Sequence, residues 1–285
     1  MYTDEFIQVN GIKLHYQDWG NSDASPLLFI HGLTQQSHTF DVVAQRLRKK
    51  YHCLSIDLRG RGDSEWASKE TYNVISYAED VCQFLDALNI KKTHLVGTSL
   101  GGLIAMTLGT MQPERILSVV INDIGPVICG EGLARIGRAA AARKGAYQSV
   151  EEYLDESMLG YAPHLNNRSR EELMEMARWR LRKNEDGTFR VHYDPAINQG
   201  STNTDQEGLR KTAEFMWKGF KAFKCPILVV RGGISDLLEP ATVEAMRVEQ
   251  PAMKFVEVPG VNHAPELDEP TSVEALGAFF SLNGG

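Results

Sequence analysis

The chain of 285 residues contains no apolar run longer than a buried strand would need. That excludes a membrane-crossing helix, which takes about 20 apolar residues. Its first residues, "MYTDEFIQVNG", have neither a basic start nor an apolar core, so no secretory leader is read there and a cytoplasmic location is expected. Cysteine is scarce: the four, at 53, 82, 129 and 225, are far apart and form no C-x-x-C pair. Reduced thiols are therefore expected rather than disulfides or a zinc site. Basic residues are outnumbered, 30 Lys and Arg against 37 Asp and Glu for a net charge of −7, so the phosphate-neutralising excess that nucleic-acid binding needs is missing. Neither "GTSLGG" nor "GRGDSE" completes G-x-G-x-x-G, and no G-K-[ST] follows either. A nucleotide cofactor is not expected, nor is a metal, because no clustered ligand spacing occurs.

What the sequence does have is alternation. "PLLFIHG", "YHCLSIDL", "THLVGTS" and "ILSVVIND" read as strands, and "TFDVVAQRLRKK", "NVISYAEDVCQFLDAL" and "LGGLIAMTLGTM" as the helices between them. Continuous Val/Ile/Leu runs suit parallel strands covered on both faces. An opening hairpin is expected to turn at Asn10-Gly11. From about residue 130 to 219 almost nothing is strand-like, and helical text fills the stretch ("EGLARIGRAAAARKG", "SVEEYLDESML", "SREELMEMARWRLRK", "DQEGLRKTAEFMWKGF"). The alternation resumes at "PILVVRGG". The reading is an α/β fold whose core comprises residues 1–125 and 222–285, with a helical cap inserted at 126–221.

In "LVGTSLGG", Ser99 falls on a very short strand-to-helix turn between Gly97 and Gly101. Such a turn forces its middle residue into strained dihedrals and needs small neighbours. It presents the hydroxyl at the carboxyl ends of the strands, where open α/β sheets place ligands, beside the N–H groups of a helix start. Alone, the pentapeptide fits an N-capping serine equally well. A hydroxyl becomes nucleophilic only beside a base oriented by a third group. His263, in the loop "VPGVNHAPELDEP", leaves the same edge of the sheet. For the orienting carboxylate two residues compete, Asp236 in "VVRGGISDLLEP" and Asp123 at the end of "SVVIND". Asp236 is preferred because it gives the chain order Ser, Asp, His. Asp123 is then expected to anchor the start of the cap, and Glu239, Glu266 and Asp268 to be solvated or capping.

With these residues in place the chain resembles the α/β-hydrolase fold family, its serine branch with a helical cap. "GTSLGG", Asp236 and His263 match the nucleophile, acid and base of that family. "FIHGL" matches its His-Gly oxyanion element, and "DLRGRGDS" its loop after the fourth strand. The resemblance covers about residues 5–125 and 222–283. It implies a Ser99–His263–Asp236 triad acting through an acyl-enzyme without cofactor, with the N–H groups of Leu33 and Leu100 as oxyanion donors. It also implies a mainly structural role for His31, Arg59, Gly60 and Gly62.

The substrate is less legible. His31, Trp179, Phe215 and Trp217 are candidates to line a pocket for an apolar or aromatic acyl compound; Arg178 and Arg182, sharing a helical face at i, i+4, are candidates to meet a substrate carboxylate, with a solvated face the favoured reading. The expected reaction is hydrolysis of a small-molecule ester or lactone. Alternatives are carbon–carbon bond hydrolysis of meta-cleavage products, enol-lactone hydrolysis, a cofactor-free haloperoxidase or perhydrolase, and a non-catalytic small-molecule receptor. Neither nucleic acid nor membrane is expected as a partner, and self-association into a homo-oligomer is left open.

Overall fold

A computed structural model of the chain describes residues 1–199 and 206–283. Asp205, expected to open a cap helix, and the last two residues assigned to the core lie outside the described residues. The opening hairpin pairs β1 (Thr3–Val9) with β2 (Ile12–Asp18), turning at Asn10 (φ 45°) and Gly11 (φ 77°), the two positive φ values of a tight hairpin turn. The strands β3 (Pro26–Ile30), β4 (His52–Ile56), β5 (Thr93–Thr98) and β6 (Ile116–Asn122) follow in the core. Beyond the inserted segment come β9 (Ile227–Gly232) and β10 (Lys254–Val258). The eight-stranded sheet has the order β1-β2-β4-β3-β5-β6-β9-β10. It is parallel from β4 onward, and only β2 runs against its neighbours. All six residues of β5 and all six of β9 are buried, as continuous apolar strands between two helical layers must be.

Two apolar layers flank the sheet. On one face lie α1 (Asp41–Leu47) and α10 (Pro270–Asn283), through Val43, Ala44, Leu276 and Phe280. On the other lie α2 (Val74–Ala87), α3 (Leu100–Met111) and α9 (Pro240–Glu249), through Phe84, Ile104 and Met246. The inserted segment comprises α4 (Gly130–Ala141), α5 (Val150–Tyr153), a π-type turn leading into α6 (Leu159–Tyr161), and α7 (Arg170–Trp179). Among the described residues it is not wholly helical. A small antiparallel pair, β7 (Leu181–Lys183) with β8 (Phe189–Val191), interrupts it, so Arg182 lies on a strand rather than on a helical face with Arg178.

Helix α8 (Gln206–Ala222) also departs from the expectation. Its second half packs on α3 of the core so closely that a Cβ at Gly219 would fall 1.8 Å from the Met106 carbonyl. The last helix assigned to the cap is thus shared with the core. No helix among the described residues is long and apolar enough to cross a membrane.

Candidate active site

Strand β5 delivers Ser99 to the carboxyl edge, and α3 begins at the next residue. Ser99 sits at φ 51°, ψ −110°, a conformation that side chains other than glycine adopt only where the surroundings impose it. The imposition is visible in its neighbours. A Cβ on Gly97 would lie 2.4 Å from the Gly101 carbonyl, and one on Gly101 would lie 1.9 Å from that of Ile30. Strand and helix can therefore meet around Ser99 only with glycine at both places.

His263 brings its Nε2 to 2.9 Å from Ser99 Oγ. Its Nδ1 lies 2.9 Å from Oδ2 of Asp123, so one imidazole spans hydroxyl and carboxylate. Asp123 is fully buried. Its other oxygen accepts the Gly232 N–H at 2.9 Å, and its own N–H donates to the Val230 carbonyl. Asn122 completes the frame, donating from Nδ2 to Thr98 Oγ1 at 3.0 Å and to the Pro265 carbonyl at 2.8 Å. That amide ties the His263 loop to the ends of β5 and β6. Nothing in the sequence singled it out, since an Asn closing an apolar strand reads as a turn former.

Asp236 does not occupy the predicted position. It accepts both arms of Arg135 from α4, at 2.5 and 2.8 Å, and the guanidinium holds its carboxyl below the ordinary carboxylate range. The physical reason lies in the sheet. Asp123 directly follows β6 and reaches the imidazole from within the fold, whereas Asp236 lies four residues past β9, at the rim, against the inserted segment. Asp123 anchors no cap helix; it anchors the imidazole. Glu266 and Asp268, expected to be solvated or capping, meet Arg180 and Arg168 of the same segment.

The loop after β3 brings Gly32 beside Ser99: a Cβ there would stand 3.6 Å from that of Ser99. Leu33 follows Gly32, and Leu100 opens α3, so both N–H groups expected to act as donors belong to the segments that border Ser99. His31 is fully buried, and both ring nitrogens are engaged: Nδ1 with the Gly32 carbonyl at 2.7 Å, and Nε2 accepting the Leu58 N–H at 3.0 Å. Burial lowers its pKa to about 4, so it is neutral near pH 7 and holds the loop rather than touching a ligand.

Each aromatic residue expected to line a pocket from the cap has protein partners of its own. Trp179 is stacked on His38 with ring centroids 3.5 Å apart and is 38% exposed. Phe215 and Trp217 are half-buried on α8 and pack against the apolar layer beneath it, because their helix belongs in part to the core. Among the described residues no group of His, Cys, Asp and Glu is arranged to hold a metal.

The sequence profile of the alpha/beta hydrolase fold matches residues 25–270, and the chain belongs to that family. It is 32% identical over 276 residues to the 3-hydroxybutyrate-oligomer hydrolase of Cupriavidus necator, covering 94% of this chain and 93% of that one. It is 27% identical over 269 residues to an esterase of Mycobacterium tuberculosis, covering 90% and 82%. Among solved structures, an alpha/beta hydrolase from Novosphingobium aromaticivorans superposes with a TM-score of 0.87 at 29% identity, over 98% of both chains. These relatives are hydrolases.

Proposed function

We propose that the protein hydrolyses small-molecule carboxylic esters through Ser99, His263 and Asp123. The observation that carries this reading is the single imidazole 2.9 Å from a strained serine hydroxyl and 2.9 Å from a buried carboxylate. Ser99 Oγ attacks the acyl carbonyl as His263 Nε2 takes its proton, and Asp123 holds the proton-bearing Nδ1 and the imidazolium that forms. The Leu33 and Leu100 N–H groups meet the developing oxyanion, each worth about 3 kcal/mol in the transition state. The imidazolium then protonates the leaving alcohol, and water activated by His263 releases the acid. The inserted segment, tied to the core by Arg135–Asp236 and Arg168–Asp268, serves as the lid.

The names of the relatives, an oligomer hydrolase and an esterase, support ester chemistry. The test is pre-steady-state hydrolysis of 4-nitrophenyl butyrate. A burst of nitrophenol equal to the enzyme concentration, absent in folded Ser99→Ala, is expected; a burst that survives in Ser99→Ala overturns the assignment.

A further inference from the structure

The arginines that tie the inserted segment to the core fall into two kinds. Arg135, Arg168 and Arg180 each meet a carboxylate, Asp236, Asp268 and Glu266 respectively. Arg143 meets none among the described residues. Its guanidinium donates to the Tyr193 hydroxyl and, at 3.4 Å, to Thr34 Oγ1. It is half-buried, and a positive charge taken out of water without a counter-ion is costly.

Arg61 repeats the pattern from the core side. Fully buried, it donates from Nε to the Leu33 carbonyl at 3.0 Å and from one terminal nitrogen to the Arg59 carbonyl and the Tyr77 hydroxyl. Its other terminal nitrogen has no hydrogen-bond partner among the described residues. Arg61 and Tyr193 are also bridged through their backbones. Two guanidiniums without an ion pair among the described residues therefore converge on Leu33 and Thr34, the loop that supplies an oxyanion donor; Asp194, which accepts from Tyr72, acts on Arg61 only at longer range. Tyr161 adds a phenol within electrostatic reach of Arg135, Arg143 and Arg180.

The geometry points to a binding site for a carboxylate carried by the substrate, with Arg143 as its principal cation and Thr34 and the neighbouring tyrosines as hydrogen-bond donors. The substrate class is then a short acyl ester bearing a free carboxylate, in place of the neutral apolar acyl compound expected from the sequence. Thr34 is one residue beyond the Leu33 N–H. Chain reach thus puts the guanidinium at most about 13 Å from the carbonyl oxygen that N–H would hold, and the shorter part of that range is a span a dicarboxylic half-ester can bridge. A planar fork with several donors suits a carboxylate, and the partly dehydrated setting strengthens the pair. The inference rests on Ser99 as nucleophile.

The test compares mono(4-nitrophenyl) succinate with its methyl ester, which differ by one charge. In the wild-type protein the anionic substrate is expected to have a kcat/KM at least about tenfold higher, expressed in KM, since a hydrogen bond to a charged group is worth roughly that factor or more. In Arg143→Gln the ratio of the two substrates falls to about one, and Arg143→Lys keeps part of it. Some loss on both substrates accompanies either variant, because Thr34 loses a tether, so the ratio is the readout. Succinate as a competitive inhibitor of wild-type turnover of the methyl ester gives a measure that needs no variant. A wild-type ratio near one with no inhibition by succinate, or an unchanged ratio in Arg143→Gln, overturns the carboxylate site. If neither ester is turned over through Ser99, the reading of Ser99 as nucleophile fails instead.

Discussion

Two aspartates leave neighbouring strands at the same edge of the sheet and have opposite fates. Asp123, after β6, is sealed from solvent and spends one oxygen on His263 and the other on the Gly232 N–H. Asp236, after β9, has a side chain 37% exposed and faces Arg135 of the inserted segment. The strands are hydrogen-bonded partners, so strand context cannot distinguish the two residues. What separates them is depth. A carboxylate that orients an imidazole must be fixed by the fold and shielded from water, while one that ties the inserted segment must lie where that segment lands.

The largest expected effect breaks this pair apart. Asp123→Asn leaves the shape intact but removes the charge that stabilises the imidazolium and favours the wrong tautomer. A fall in kcat of about a thousandfold to ten-thousandfold is expected on a nitrophenyl ester. Asp236→Asn should cost less than about tenfold. Equal losses in the two variants, measured side by side, would show that His263 turns to the other carboxylate during turnover and would reverse the assignment.

A second test carries the contrast of depth to the histidines. His31 is held neutral by burial, with its pKa lowered to about 4 from the ordinary imidazole value of 6.5. Between these values the unfolded chain binds a proton that the folded one refuses, so stability falls as pH drops through this window and is fully present above it. Going from pH 7 to pH 5 should cost about 2 kcal/mol through this one group. Urea unfolding of His31→Gln at the two pH values should lose that much less than the wild-type protein does. An identical pH dependence would mean that His31 is not buried as described.

How much of this was legible in the residues follows the same division. The sheet, the serine turn and the histidine loop were readable because continuous apolar runs, paired glycines and loop position reflect local backbone demands. The choice of acid was not, because it depends on which strand end the His263 loop crosses. The counter-charge that claims Asp236 comes from Arg135, about a hundred residues away in sequence. The strands β7 and β8 escaped because each is three residues long, though "NEDG" between them is a turn signal. Helix α8 was assigned wholly to the lid because its amphipathic pattern shows a buried face without showing which layer covers it.

The smallest effect concerns the rim itself. The Arg135–Asp236 pair is bidentate, but its side chains are 28% and 37% exposed, so solvent screening limits its worth to about 0.5–1 kcal/mol. A double-mutant cycle of Arg135→Ala and Asp236→Ala, followed by urea unfolding, should give a coupling energy in that range that shrinks as salt is raised. The same cycle on Asp123 and His263 should give a larger coupling with little salt dependence, because those groups are shielded. If the rim pair coupled as strongly as the buried one and ignored salt, depth would not be what distinguishes the two aspartates.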